Sequence, residues 1–108
     1  MDLADLEAVL QDRKARPPAG SYSATLLADP EQATRKIMEE AYEVALELTR
    51  PRVDAERAAS EAADLVFHLL AGLVGAGVPW EQVMGELSQR RGTGGAGAGP
   101  ATSEERDR

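Results

Sequence analysis

The chain is predicted to be all-α. Its apolar residues recur at helical rather than alternating spacing, alanine and leucine crowd the stretch from Ala58 to Leu73, and cap and stop residues divide the chain at helical lengths. Four helices with short connections are expected, forming a bundle core that a second copy of the chain completes.

Leu3, Leu6, Val9 and Leu10 place an amphipathic helix over residues 2 to 14, ended by Arg16-Pro17-Pro18-Ala19-Gly20. Ser21 to Ala28 carries hydroxyls where a helix has no need of them, and reads as a turn or extended loop followed by a short helical piece. Asp29-Pro30-Glu31-Gln32 then supplies a capping side chain, a proline at the first helical position and a glutamine at the third. The helix it opens runs from about Pro30 to Thr49 and stops before Pro51. Asp54 caps the next helix, which continues through Ala58, Glu61, Leu65, Leu69 and Leu73 until Gly75-Ala76-Gly77. Trp80, Val83, Met84 and Leu87 give a last helix to about Arg91. Residues 1–91 are thus expected to form one domain. The Gly-rich and charged tail over 92–108 offers little apolar area and is expected to be disordered and dispensable.

Of 108 residues none is cysteine, which excludes disulfides and thiolate metal sites. Met1-Asp2-Leu3-Ala4-Asp5 lacks the basic and apolar regions of a signal peptide, and the apolar-rich run from Leu65 to Gly77 falls short of a membrane span, so a cytoplasmic protein is expected. A net charge of -7 argues against non-specific nucleic-acid binding, though not against nucleotides, since a bound metal reverses the local sign. No glycine-rich phosphate loop is present.

The acidic residues are distributed unusually. On a helical wheel at about 100° per residue, Ile37, Ala41, Val44, Ala45 and Leu48 make the core stripe of the 30–49 helix. Lys36, Glu40, Glu43 and Glu47 share one flank, with Glu39 beside Glu43. The following helix is apolar nearly all round except for Glu61, Asp64 and His68, which fall on one stripe. Enclosed carboxylates need a metal, a cationic side chain or a solvent-filled cleft. If the two helices are antiparallel neighbours, Glu39-Glu40-x-x-Glu43 and Glu61-x-x-Asp64 converge as hard oxygen ligands suited to Mg²⁺, with Mn²⁺ as a substitute.

The chain resembles the phosphoribosyl-ATP pyrophosphohydrolase family, within the all-α, MazG-like nucleoside-triphosphate pyrophosphohydrolases. The broad signature is Glu39, Glu40 and Glu43 followed by Glu61 and Asp64. The narrower likeness lies in Ser21-Tyr22-Ser23-Ala24-x-Leu26-Leu27, in Lys36-Ile37-x-Glu39-Glu40-Ala41-x-Glu43-Val44-Ala45, and in Glu61 through Leu70, and the match spans about Leu6 to Arg91. Ser23 stands where the family usually has threonine, and Val78-Pro79 where it usually has a serine-like cap.

The resemblance implies hydrolysis of phosphoribosyl-ATP between the α and β phosphorus atoms, a step of histidine biosynthesis. It places the metal on Glu40, Glu43, Glu61 and Asp64 and gives Glu39 the orienting of water or a second ion. Ser21, Tyr22, Ser23, Lys36 and His68 are the candidates for contact with the nucleotide, His68 also for a core or metal-supporting role. Two alternatives stand beside this: a house-cleaning relative acting on ordinary or damaged nucleoside triphosphates, and a non-enzymatic helical dimerisation module.

Overall fold

The computed structural model describes residues 1–92, so the expectation for the tail lies outside the described residues apart from Gly92. Five helices are present: α1 (Leu3–Ala15), α2 (Tyr22–Ala28), α3 (Pro30–Leu48), α4 (Ala55–Ala76) and α5 (Trp80–Gly92), with no strand among the described residues. The all-α class holds, and the helix count rises from four to five because Tyr22–Ala28 is a helix. Its hydroxyls are the reason. The Ser21 side chain caps α2 by accepting from the Ala24 amide at 3.2 Å, and the Thr25 hydroxyl donates to the Ser21 carbonyl at 3.1 Å. Residues that compete with a helix interior are thereby used at its start.

Other boundaries follow from caps legible in the sequence. Asp2 and Asp5 form a reciprocal capping box on α1, and Asp29 caps α3 ahead of Pro30. Asp54 accepts from the Glu56 and Arg57 amides at the start of α4. Gly77, at φ 79°, ends α4 in the left-handed conformation that a side chain disfavours, while the Val78 amide returns to the Leu73 carbonyl at 2.8 Å.

Residues Met1–Val78 form one compact unit. Within it α3 and α4 make the principal pairing, and α1 and α2 both pack on α4. Leu10, Leu26, Leu70, Ala71 and Val74 are fully buried where these helices meet. A Cβ on Gly75 would lie 3.0 Å from the Leu27 carbonyl, so the α2 backbone comes this close only to a glycine. Lys14 donates to the carbonyls of Val74 and Gly75 at 3.0 and 3.3 Å, tying α1 to the C-terminal end of α4. An 18-residue window of the 22-residue α4 has a mean hydropathy of 1.3, so by length and composition alone this helix could cross a membrane, contrary to the shorter run expected from sequence. Within the unit it packs against α1, α2 and α3, and it carries Glu61 and Asp64 in its first half. From Pro79 a second unit begins; its α5 has Glu81 in the first turn and Arg90 and Arg91 in the last, as the helix dipole favours.

The seam of α3 differs from the expected stripe. Ala33 and Glu47 are buried and Ile37, Glu40 and Val44 half-buried, whereas Ala41, Ala45 and Leu48 are exposed. The side facing α4 therefore follows alternate steps of four and three residues and includes two glutamates. The residues chosen on apolarity alone lie partly on the opposite side.

Candidate active site

The antiparallel pairing of α3 and α4 aligns their faces in three levels. At one end Ile37 meets Gly72, where a Cβ would lie 3.2 Å from the isoleucine Cδ1. In the middle, carboxylate oxygens of Glu40, Glu61 and Asp64 all lie within 4.8 Å of one another. At the far end Glu47 reaches Arg57.

The middle level gathers three acids from two helices, Glu40, Glu61 and Asp64, where the spacing of the two motifs predicts four with Glu43. The Glu40 side chain is 13% exposed and Glu61 half-buried, while Asp64 is exposed. Burial first, then the neighbouring carboxylates of Glu43, Asp64, Glu40 and Glu47, push the Glu61 carboxyl above its usual value. Glu43 is exposed and outside the group of three, yet it is the strongest of these electrostatic neighbours. Lys36 lies 3.6 Å from Glu40 and 3.2 Å from Glu39. The hydrogen bond and charge of Glu39 are the main causes holding its ammonium above the ordinary lysine value. One ammonium shared with Glu39 does not balance three converging carboxylates. The donor set, all hard oxygen and partly withdrawn from solvent, could hold a hard metal cation.

The raised Glu61 carboxyl makes the metal-free protein sensitive to pH. A group whose folded pKa is raised contributes stability that is complete below its ordinary value of 4.5 and is lost as pH rises through the raised one. Thermal melts in chelator are therefore expected to show Glu61→Gln gaining on the parent as pH climbs above about 4.5. Parallel Tm–pH curves for the two proteins would contradict this electrostatic picture.

Around the acids, the remaining candidates take distinct positions. Ser23 is 5% exposed and its hydroxyl accepts from Arg13 at 3.1 Å, with Ser21 a further 3.1 Å away. Tyr22 is half-exposed, and its hydroxyl meets Nε2 of the buried His68 at 2.9 Å. His68 Nδ1 in turn lies 2.7 Å from the Asp64 carbonyl oxygen. Sequence reasoning missed two features. One is the Tyr22–His68 contact, which links segments 46 residues apart. The other is the burial of Glu47 with Arg50 and Arg57, whose signal was the alternate four-and-three spacing from Ala33 to Glu47.

This fold and this acidic centre define a class of small all-α protein with a carboxylate cluster that could hold a cation, and comparison with known proteins places the chain more narrowly. The profile of the family described as phosphoribosyl-ATP pyrophosphohydrolase matches residues 3–91. The chain is 43% identical over 89 residues to the phosphoribosyl-ATP pyrophosphatase of Methylobacterium nodulans, covering 82% of this chain and 81% of the relative. It is 44% identical over 94 residues to that of Cereibacter sphaeroides, covering 86% and 89%. To that of Caulobacter vibrioides it is 40% identical over 93 residues, covering 86% and 85%. The chain belongs to the phosphoribosyl-ATP pyrophosphohydrolase family.

Proposed function

We propose that this protein hydrolyses 1-(5-phosphoribosyl)-ATP to 1-(5-phosphoribosyl)-AMP and pyrophosphate in histidine biosynthesis, as a soluble cytoplasmic enzyme. The observation that carries the site assignment is the convergence of Glu40, Glu61 and Asp64 from two antiparallel helices. Together with Glu43 they hold Mg²⁺, with Mn²⁺ as a substitute. Bound there, a divalent cation would offset the charge of the triphosphate and would lower the pKa of the attacking water. Glu39, at the exposed edge, orients that water or a second ion. Lys36, already positioned by Glu39 and Glu40, meets a phosphoryl oxygen. Ser21 and Tyr22 stand at the rim for contact with the nucleotide, and buried Ser23 supports Ser21 from inside.

Turnover of phosphoribosyl-ATP against a panel of ATP, dCTP and dUTP with Mg²⁺ tests the substrate. A preference of at least roughly tenfold in kcat/KM for phosphoribosyl-ATP is expected. Equal turnover of the simple triphosphates would favour a house-cleaning enzyme.

A homodimer is the second part of the proposal. An apolar groove of about 250 Å³ lies between α3 and α4, lined by residues that include Ala33, Ile37, Leu69 and Leu73. On the outer side of α3, Met38 is 69% exposed, Tyr42 64% and Leu48 58%. That much uncovered apolar surface on a small unit calls for a partner, and a second copy is the economical one. Sedimentation at micromolar concentration is expected to give a dimer, and Tyr42→Glu to shift it toward monomer. A monomeric parent protein would contradict the assignment.

A further inference from the structure

With a neutral imidazole, the Tyr22–His68–Asp64 chain has a single polarity. The Asp64 carbonyl can only accept, so the His68 Nδ1 at 2.7 Å donates to it. A neutral imidazole then presents a lone pair at Nε2, and the Tyr22 hydroxyl at 2.9 Å spends its single proton there. What the phenol oxygen has left for a ligand is lone pairs alone. The imidazole is also held in orientation, edge-on to Phe67 at 5.2 Å and 89° and to the Tyr22 ring at 5.8 Å and 78°. His68 is 7% exposed, whereas Tyr22 is 49% exposed. A buried histidine thus spends its ring nitrogens on a carbonyl of α4 and on one rim residue. That carbonyl belongs to Asp64, a member of the acidic group.

We infer that His68 is a positioning residue that fixes the Tyr22 hydroxyl as a hydrogen-bond acceptor toward the substrate, so that Tyr22 reads an O–H or N–H of the nucleoside portion and not a phosphoryl oxygen. Phosphoryl oxygens are acceptors themselves and gain nothing from a phenol whose proton is committed. Sugar hydroxyls and base N–H groups are donors, and the half-exposed ring can lie beside them. This assigns the rim by chemistry: Lys36 serves the phosphates, and Tyr22 serves the nucleoside. The inference rests on the reaction proposed above.

The test is steady-state kinetics with phosphoribosyl-ATP and Mg²⁺ for the parent protein, Tyr22→Phe, His68→Leu, His68→Gln and the Tyr22→Phe/His68→Leu pair. Inhibition by magnesium pyrophosphate is measured alongside. Tyr22→Phe and His68→Leu are each expected to raise KM about tenfold with kcat changed less than about threefold. His68→Gln, whose amide oxygen can accept from Tyr22 near the place of Nε2, should recover most of the loss. The double variant should be no worse than either single by more than about twofold, since both remove the same interaction. Pyrophosphate inhibition should be unchanged in Tyr22→Phe.

A parental KM in Tyr22→Phe, multiplicative effects in the double variant, or pyrophosphate inhibition weakening in step with KM would each overturn the inference. If His68→Leu does not fold, Tyr22→Phe with and without His68→Gln carries the same comparison, because glutamine has nothing to hold once the hydroxyl is gone. Absence of turnover in the parent protein overturns the assigned reaction and this inference with it. Normal parental turnover with an indifferent Tyr22 overturns the inference alone.

Discussion

Glu61→Gln and Asp64→Asn are each expected to lower phosphoribosyl-ATP turnover by about two or more orders of magnitude while the helical fold stays intact. The amides keep nearly the same volume and still form hydrogen bonds, so the change isolates the charge that holds a hard cation. Glu40→Gln belongs with them, since Glu40 completes the group of three whose oxygens lie within 4.8 Å. Glu43→Gln tests whether an exposed carboxylate outside that group joins it when the cation and triphosphate are present. Stability should move the opposite way to activity. In the metal-free state Glu61 is pressed by Glu43, Asp64 and Glu40, so its neutral amide should melt at a higher temperature than the parent. The parent should recover that difference when Mg²⁺ is added, because only the carboxylate form gains binding energy from it. Near-parental turnover in both Glu61→Gln and Asp64→Asn would sink the metal-site assignment.

The acidic centre was legible in the sequence because helical spacing alone brings Glu40 and the Glu61–Asp64 pair onto facing turns once two helices lie antiparallel. The caps at Asp29, Asp54 and Gly77 were legible for the same local reason: each acts on a backbone within a few residues. What escaped was one local effect of position and two tertiary ones. Ser21, Tyr22 and Ser23 read as loop residues ahead of a short helical piece because competition between hydroxyl and backbone is decided by position, and at the first turn the same hydroxyl stabilises the helix it would weaken further in. The α3 seam escaped because an apolar stripe was sought. The true seam carries Glu40, a member of the acidic group, and Glu47, paired with two arginines, and leaves Ala41, Ala45 and Leu48 exposed among the described residues. The Tyr22–His68 bond joins residues with no periodic relation to each other, and no reading of single helices finds it.

Glu47 is where the sequence suggests the least and the structure the most. Lying one turn beyond Glu43, it reads as a solvated acid whose replacement should matter little. Its side chain is in fact 7% exposed, with Arg50 Nε at 3.0 Å and Arg57 Nη2 at 3.1 Å. These contacts pin the end of α3 and the following loop to the first turns of α4, at the level adjoining the acidic centre. Hydrogen bonds from Arg50 and then Arg57 hold the Glu47 carboxyl below its ordinary value, against the opposing effect of burial. A depressed carboxyl contributes stability that is present above its ordinary 4.5 and is lost as pH falls through the lowered value. Glu47→Gln leaves the seam filled but removes the charge, so two guanidinium groups lose their counter-ion. Because Arg50 and Arg57 are 47% and 61% exposed, water takes up part of that loss. A fall in Tm on the order of 5 °C at pH 7 is expected, narrowing as the parent itself takes up a proton in acid. Turnover per folded molecule at low temperature should drop no more than about threefold, since Glu47 lies outside the group of three acids. Calorimetric melts from about pH 3 to pH 7, paired with turnover at 15 °C, check both halves. A Tm unchanged at pH 7 would show that the arginines find equal partners elsewhere. A collapse of turnover in a stably folded variant would show instead that Glu47 works with the metal and not with the helices.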